Sequence, residues 1–271
     1  MIEQQFYNLS LLLAGIVNLM MAAVLLYNNF YYRDYVVYFR SRQLTALSLA
    51  VFGAGFLLHL HFGWRASWPI AASALSVSYF HIGGLLLSWS HTSLLNPQYL
   101  RHFVIVRDAI ALFIGITVLW VGAFMDSFLI LNIGVGVFLV HVAWMSVDFL
   151  NTNYRVRRQF KRLPVTEMNA RWWSSTVKQS VFWGQRSMSI ACYMIILWGL
   201  GSIILTALIP YSVWPYTVLL CMGCCVFGYI FYTLDNYGMV IEAATNATED
   251  VTLLTESSLS DYNRNKTCQI K

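Results

Sequence analysis

The sequence predicts an all-α integral membrane protein: a seven-transmembrane-helix bundle, N-terminus outside and C-terminus cytoplasmic. Three observations carry this expectation. Of 271 residues, 58% are hydrophobic and 11% charged, whereas a soluble domain carries about 25% charged residues. Seven apolar stretches approach the ~20 residues with which a helix crosses ~30 Å of hydrocarbon. Of 17 Lys and Arg, all but Arg65 fall in one of the two alternating sets of loops, which the positive-inside rule places in the cytoplasm. Such a composition excludes a soluble enzyme, a nucleic-acid-binding domain and a secreted disulfide scaffold.

The first span, 7–28, follows a leader without Lys or Arg and is too long for the core of a cleaved signal peptide. The second, 44–64, runs apolar from Leu44 to Leu60 without alternation, which a barrel strand would show. The remaining spans are 70–90, 104–124, 127–150, 189–209 and 213–234. Pro69, Pro97, Pro164, Pro210 and Pro215 lie between spans or at their edges, so no helix needs a proline kink. Trp64, Trp68, Tyr211, Trp214 and Tyr216 form an outer aromatic belt, and Tyr27, Phe30, Tyr31, Tyr32 and Tyr35 mark the inner edge. The bundle takes up residues 1–240. Within it, the cytoplasmic loop 151–186 opens with the basic run Arg155, Arg157, Arg158, Lys161 and Arg162. It continues with Trp173, Val177 and Val181 opposite Arg171, Lys178 and Gln185, the pattern of an interfacial helix on anionic lipid. Residues 241–271 are polar and read as a disordered cytoplasmic tail.

Ionisable groups at depth are costly and mark function. Asp126 and Asp148 stand at span ends. The seventh span has no lysine for a retinal Schiff base, and no midplane carboxylate offers a pump's relay. His59 and His61 lie near the outer surface. A rise of ~1.5 Å per residue puts His81 roughly 16 Å and His141 roughly 21 Å below the outer ends of their spans. At such matched depth they suit either a haem iron held between two helices or hydrogen bonds to neighbouring helices. On the third span, Ser73, Ser76, Phe80, Gly83 or Gly84, Leu87 and His91 recur at helical steps and favour close packing. With the fifth span this face frames a candidate ligand site of Ser76, Tyr79, His81, His141, Met145 and Asp148. Cys221, Cys224 and Cys225 read as small apolar residues of a buried helix rather than zinc ligands. No catalytic set or metal site is expected, and no cofactor apart from the haem alternative.

Four stretches carry a resemblance: Tyr79-Phe80-His81-Ile82-Gly83-Gly84, Ser88-Trp89-Ser90-His91, Asn96-Pro97-Gln98-Tyr99-Leu100 and Asp235-Asn236-Tyr237. Over residues 1 to about 245 the chain resembles the multi-pass sensor portion of bacterial membrane-anchored regulators of the AraC type. The tail is too short for that family's DNA-binding domain, so the resemblance implies a sensor part that signals through a partner. The expected function is a sensor or receptor-like protein of the plasma (bacterial inner) membrane. It would bind a small or lipidic ligand within the bundle and signal through its cytoplasmic loop and tail. The alternatives are a membrane haem or redox protein using His81 and His141, and a non-catalytic subunit or scaffold of a membrane complex. Expected partners are the bilayer, anionic lipid at the cytoplasmic face and a cytoplasmic protein. Nucleic acid is not expected, because the positive charge already faces a competing anionic membrane.

Overall fold

In hydrocarbon every backbone N–H and C=O must find a partner within the protein, and a helix supplies all of them locally. The computed structural model, which describes residues 2–162, 175–208 and 213–237, is helical accordingly, with no strand among those residues. The elements are α1 (Ile2–Tyr27), a 3-10 turn (Asn28–Tyr32), α2 (Val36–Phe62), the four-residue α3 (Trp64–Ser67), α4 (Pro69–Leu95), α5 (His102–Phe124), α6 (Phe128–Arg162), α7 (Ser175–Leu208) and α8 (Trp214–Tyr237). Six of them, α1, α2, α4, α5, α6 and α8, are long and apolar enough to cross a membrane, and α7 carries the shorter apolar stretch Ser189–Leu205. The chain is a multi-pass helical membrane protein.

Local chemistry sets the helix ends. Gly63 closes α2 in the left-handed region at φ 61°, a conformation that costs glycine nothing. Pro69 opens α4 at its first turn, where the missing N–H has no helical acceptor to lose. The turn between α5 and α6 spans only residues 125–127, which makes these helices an antiparallel hairpin. At their contact a Cβ on Gly122 would lie 2.6 Å from the Leu131 backbone nitrogen, so this approach requires glycine. Past residue 150 the helix does not stop. Asn151–Arg162 is free of glycine and proline, and α6 continues through the basic run. Arg171, Trp173 and the tail 241–271 lie outside the described residues, and α7 runs unbroken from Ser175 into the expected sixth span.

Helix α4 is the hub. In its most apolar window 78% of residues are buried, against 17% for α5. It packs against α2, α5, α6 and α7, while α1 packs on α2. Hydroxyls draw α2 and α4 together: Ser90 Oγ lies 2.7 Å from both Ser41 Oγ and Thr45 Oγ1, and Ser48 donates to the Gly83 carbonyl at 2.7 Å. Phe52 meets Phe227 at 4.6 Å between ring centroids and Trp198 at 5.9 Å, adding α8 and α7 to the core. Outside it, Phe103, Phe113, Leu129, Val140 and Leu197 are exposed, a surface suited to lipid rather than water. Two expectations are corrected here. Cys221 and Cys225 are exposed, so α8 is not buried on that side, and Tyr216 is buried under Arg65 rather than part of an aromatic belt.

Candidate functional site

Three helices meet at one carboxylate. Asp108 on α5 is fully buried. Its Oδ2 accepts from Trp89 Nε1 of α4 at 2.7 Å, and its Oδ1 accepts from Arg107 Nε at 2.7 Å and His141 Nε2 of α6 at 3.3 Å. Arg107 also donates to Asp148 Oδ2 at 3.1 Å, and Tyr99 donates to the same oxygen at 3.4 Å. Burial first, and the nearby carboxylates of Asp148 and Asp108 second, push the Tyr99 hydroxyl up to about 12.

From Asp108 the hydrogen-bonded chain leads towards mid-depth. His141 Nδ1 lies 2.8 Å from His81 Nε2. A carboxylate oxygen only accepts, so His141 carries a proton on Nε2, and with both rings neutral its Nδ1 is an acceptor. His81 therefore donates through Nε2, and its Nδ1 keeps a lone pair that is buried without a partner among the described residues. That edge of the ring lies beside Gly115, where a Cβ would come within 3.3 Å of Nδ1. The two ring nitrogens stand closer than the roughly 4 Å that would separate them across a metal at ~2 Å per bond. No group of three or more His, Cys, Asp or Glu placed to hold a metal occurs among the described residues.

Next to this chain, between α4, α6 and α7, is a cavity of about 70 Å³ whose wall includes Phe80, Gly84, His91, Phe138, Met145 and Gly199. A Cβ built on Gly84 or Gly199 meets nothing within 4 Å, whereas one on Gly83 would strike the Phe52 ring at 2.5 Å. The pair that the sequence left ambiguous is thereby divided: Gly83 serves packing and Gly84 opens space. Phe138 belongs to both features, since its ring also lies 4.3 Å from that of His81.

The six candidate residues thus fall into three places. His81, His141 and Asp148 join the polar chain, and Met145 lines the cavity. Ser76 and Tyr79 belong to a separate cluster towards the N-terminal end of α4, in which Arg65 donates to Ser73 and Ser76 at 3.2 and 3.1 Å and sits 3.9 Å above the Tyr216 ring. There Ser76 also bonds His59 Nε2 at 2.9 Å, and Tyr79 packs edge-on to His59 at 5.7 Å. Of the basic run, Arg155 and Arg158 are exposed. Arg157, Lys161 and Arg162 stand on the same helix, and Trp173 lies outside the described residues. The sequence reading missed Asp108, and it treated Arg42 as a loop charge. Arg42 is fully buried on α2, held by Asp235 at 2.9 Å and by Tyr38 Oη at 3.0 Å. Compared with family models, with curated proteins and with solved structures, the chain finds no match.

Proposed function

We propose that this chain is a seven-helix sensor or receptor-like protein of the plasma (bacterial inner) membrane, with its N-terminus outside and its C-terminus in the cytoplasm. In this reading Ser189–Leu205 is the apolar part of the remaining span. A small or lipidic ligand occupies the cavity between α4, α6 and α7, and the signal leaves through the basic extension of α6 and the tail to a cytoplasmic protein partner. Anionic lipid holds the basic run at the cytoplasmic face.

The observation that supports this reading best is the position of Phe138, with one side on the cavity and its ring 4.3 Å from His81. A ligand that displaces this ring moves the end of a chain of polar groups leading through Asp108 to Asp148 on α6 and to Tyr99, just past the end of α4. Packed interiors respond to such displacement by switching arrangement rather than by smooth deformation.

The test is a thermal-unfolding screen of the protein in lipid nanodiscs against small apolar and amphiphilic molecules. A ligand at one hundred times its Kd stabilises by about 2.7 kcal/mol. Gly84→Leu places a side chain in the open space of the cavity wall and should abolish the shift. A screen in which no compound stabilises the wild type, or in which Gly84→Leu responds equally, refutes the reading.

A further inference from the structure

We propose that His91 Nε2 is the recognition atom of the interhelical cavity and that its ligand is a small neutral alcohol or phenol, whose hydroxyl donates to Nε2. This rests on the reading of the cavity as a ligand site and adds the chemical class of the ligand.

His91 Nδ1 lies 2.9 Å from the Leu87 carbonyl oxygen, one turn back on α4. A carbonyl only accepts, so Nδ1 bears the proton and the neutral ring presents a lone pair at Nε2. The residue is 1% exposed, and Nε2 has no partner among the described residues. An unmet acceptor at such a site costs about 1–3 kcal/mol. The Nδ1 edge is tied to the residue's own helix and His91 is part of the cavity wall, which leaves Nε2 as the uncommitted polar atom of the ring.

The wall selects among guests. Its other members include Phe80, Leu87, Phe138, Phe149 and Ile195. Ser146, also in the wall, spends its proton on the Val142 carbonyl at 2.7 Å and so offers a second acceptor. A carboxylate guest would face lone pairs. An ammonium guest would be buried without a carboxylate, since the lining contains no Asp or Glu. A water molecule needs two to four polar partners and finds few in so apolar a wall. A neutral O–H donor with a hydrocarbon body satisfies both the nitrogen and the wall. At 10–15 Å³ per water-sized group, the 70 Å³ available suits a body of about five to seven heavy atoms. His91 stands ~6 Å from the C-terminal end of α4, so the hydroxyl lies near the interface and the body points inward, as an alcohol orients in a bilayer.

The test uses the full chain in nanodiscs and two photoreactive probes, a diazirine-bearing butanol and its methyl ether, with labelled residues mapped by peptide mass spectrometry. The alcohol should label Met145, Cys192 or Ile195 about tenfold more efficiently than the ether, and excess cyclohexanol should compete. His91→Phe should reduce the preference to near unity while the ether still labels, and His91→Gln, which keeps an acceptor oxygen, should restore part of it. Equal labelling of the wild type by alcohol and ether overturns the alcohol assignment and leaves the cavity reading standing, as does a preference that survives His91→Phe. Absence of labelling by either probe within the cavity overturns both. The wild-type comparison and His91→Gln decide the matter even where His91→Phe fails to fold.

Discussion

Asp108→Asn removes one charge and almost no volume, and it strikes the point where α4, α5 and α6 are joined. The carboxylate takes three N–H groups, from Trp89, Arg107 and His141. Asparagine keeps one oxygen and replaces the other with an NH₂, so at least one incoming donor then faces a donor. With the oxygen towards Arg107 and His141 the Trp89 indole is stranded. The flipped amide strands the other two. Deleting one partner of a buried ion pair costs about 3–5 kcal/mol in soluble proteins, but interhelical hydrogen bonds within membranes average only about 0.6 kcal/mol. Arg107 keeps Asp148 at 3.1 Å, which spares it a fully uncompensated charge. The expected loss is therefore about 2–3 kcal/mol. It is measured as reversible unfolding in mixed micelles, with the Trp89 indole N–H resonance, assigned through Trp89→Phe, as the local probe. A double-mutant cycle of the two changes should give a coupling of about 0.6–1.7 kcal/mol. A loss below about 0.5 kcal/mol with an unmoved Trp89 resonance would refute the junction.

At the Arg42–Asp235 ion pair the two partners should respond unequally, because the Arg42 side chain is fully buried and that of Asp235 is 47% exposed. Arg42→Met leaves a carboxylate that water can solvate and should cost less than about 1 kcal/mol, whereas Asp235→Asn leaves a buried cation short of its carboxylate and should cost about 2–3 kcal/mol; equal costs in the same unfolding assay would contradict the assigned burial. Tyr99 should ionise late in an alkaline absorbance titration. Its hydroxyl is raised from 10 to about 12 in the folded protein, so the associated stability is fully present below pH 10 and is lost as the pH rises through 12. Tyr99→Phe should lower the amplitude of the late step by one tyrosine, and an unchanged difference spectrum would place the ionisation elsewhere.

Hydrophobic length made the helices legible, because a span is a property of twenty residues together and survives errors at either end. The ends themselves were less legible. Past residue 150 composition turns polar, which reads as a loop, yet Asn151–Arg162 contains nothing that breaks a helix and α6 continues. The matched depths of His81 and His141 could be counted, and their rings do meet. The same arithmetic applies to the residue that was missed. Trp89 lies six residues before the end of α4 and Asp108 six after the start of α5, both ~9 Å in from the same side. The adjacency of Arg107 and Asp108 hid this, since two opposite charges at a span end look like a solvated pair. Arg42 was hidden similarly, its partner Asp235 standing far away in sequence.

The stripe on the third span shows where periodicity stops being informative. Ser73, Ser76, Phe80, Gly83 or Gly84, Leu87 and His91 recur at steps that place them along one helix face, and on an amphipathic surface helix such a face has one neighbour. Helix α4 has neighbours on every side, so the stripe is divided among them by depth. Ser73 and Ser76 go to Arg65, Gly83 goes to α2, and Phe80, Gly84, Leu87 and His91 open onto the cavity shared with α6 and α7. A helix buried all round carries no sequence signal that tells a packing face from a binding face. What separates them is whether each polar atom finds a partner. Ser90 on α4 finds several across α2, and His91, its immediate neighbour, leaves one nitrogen without any among the described residues. That difference depends on α6 and α7 closing around a space instead of filling it, and no single span encodes it.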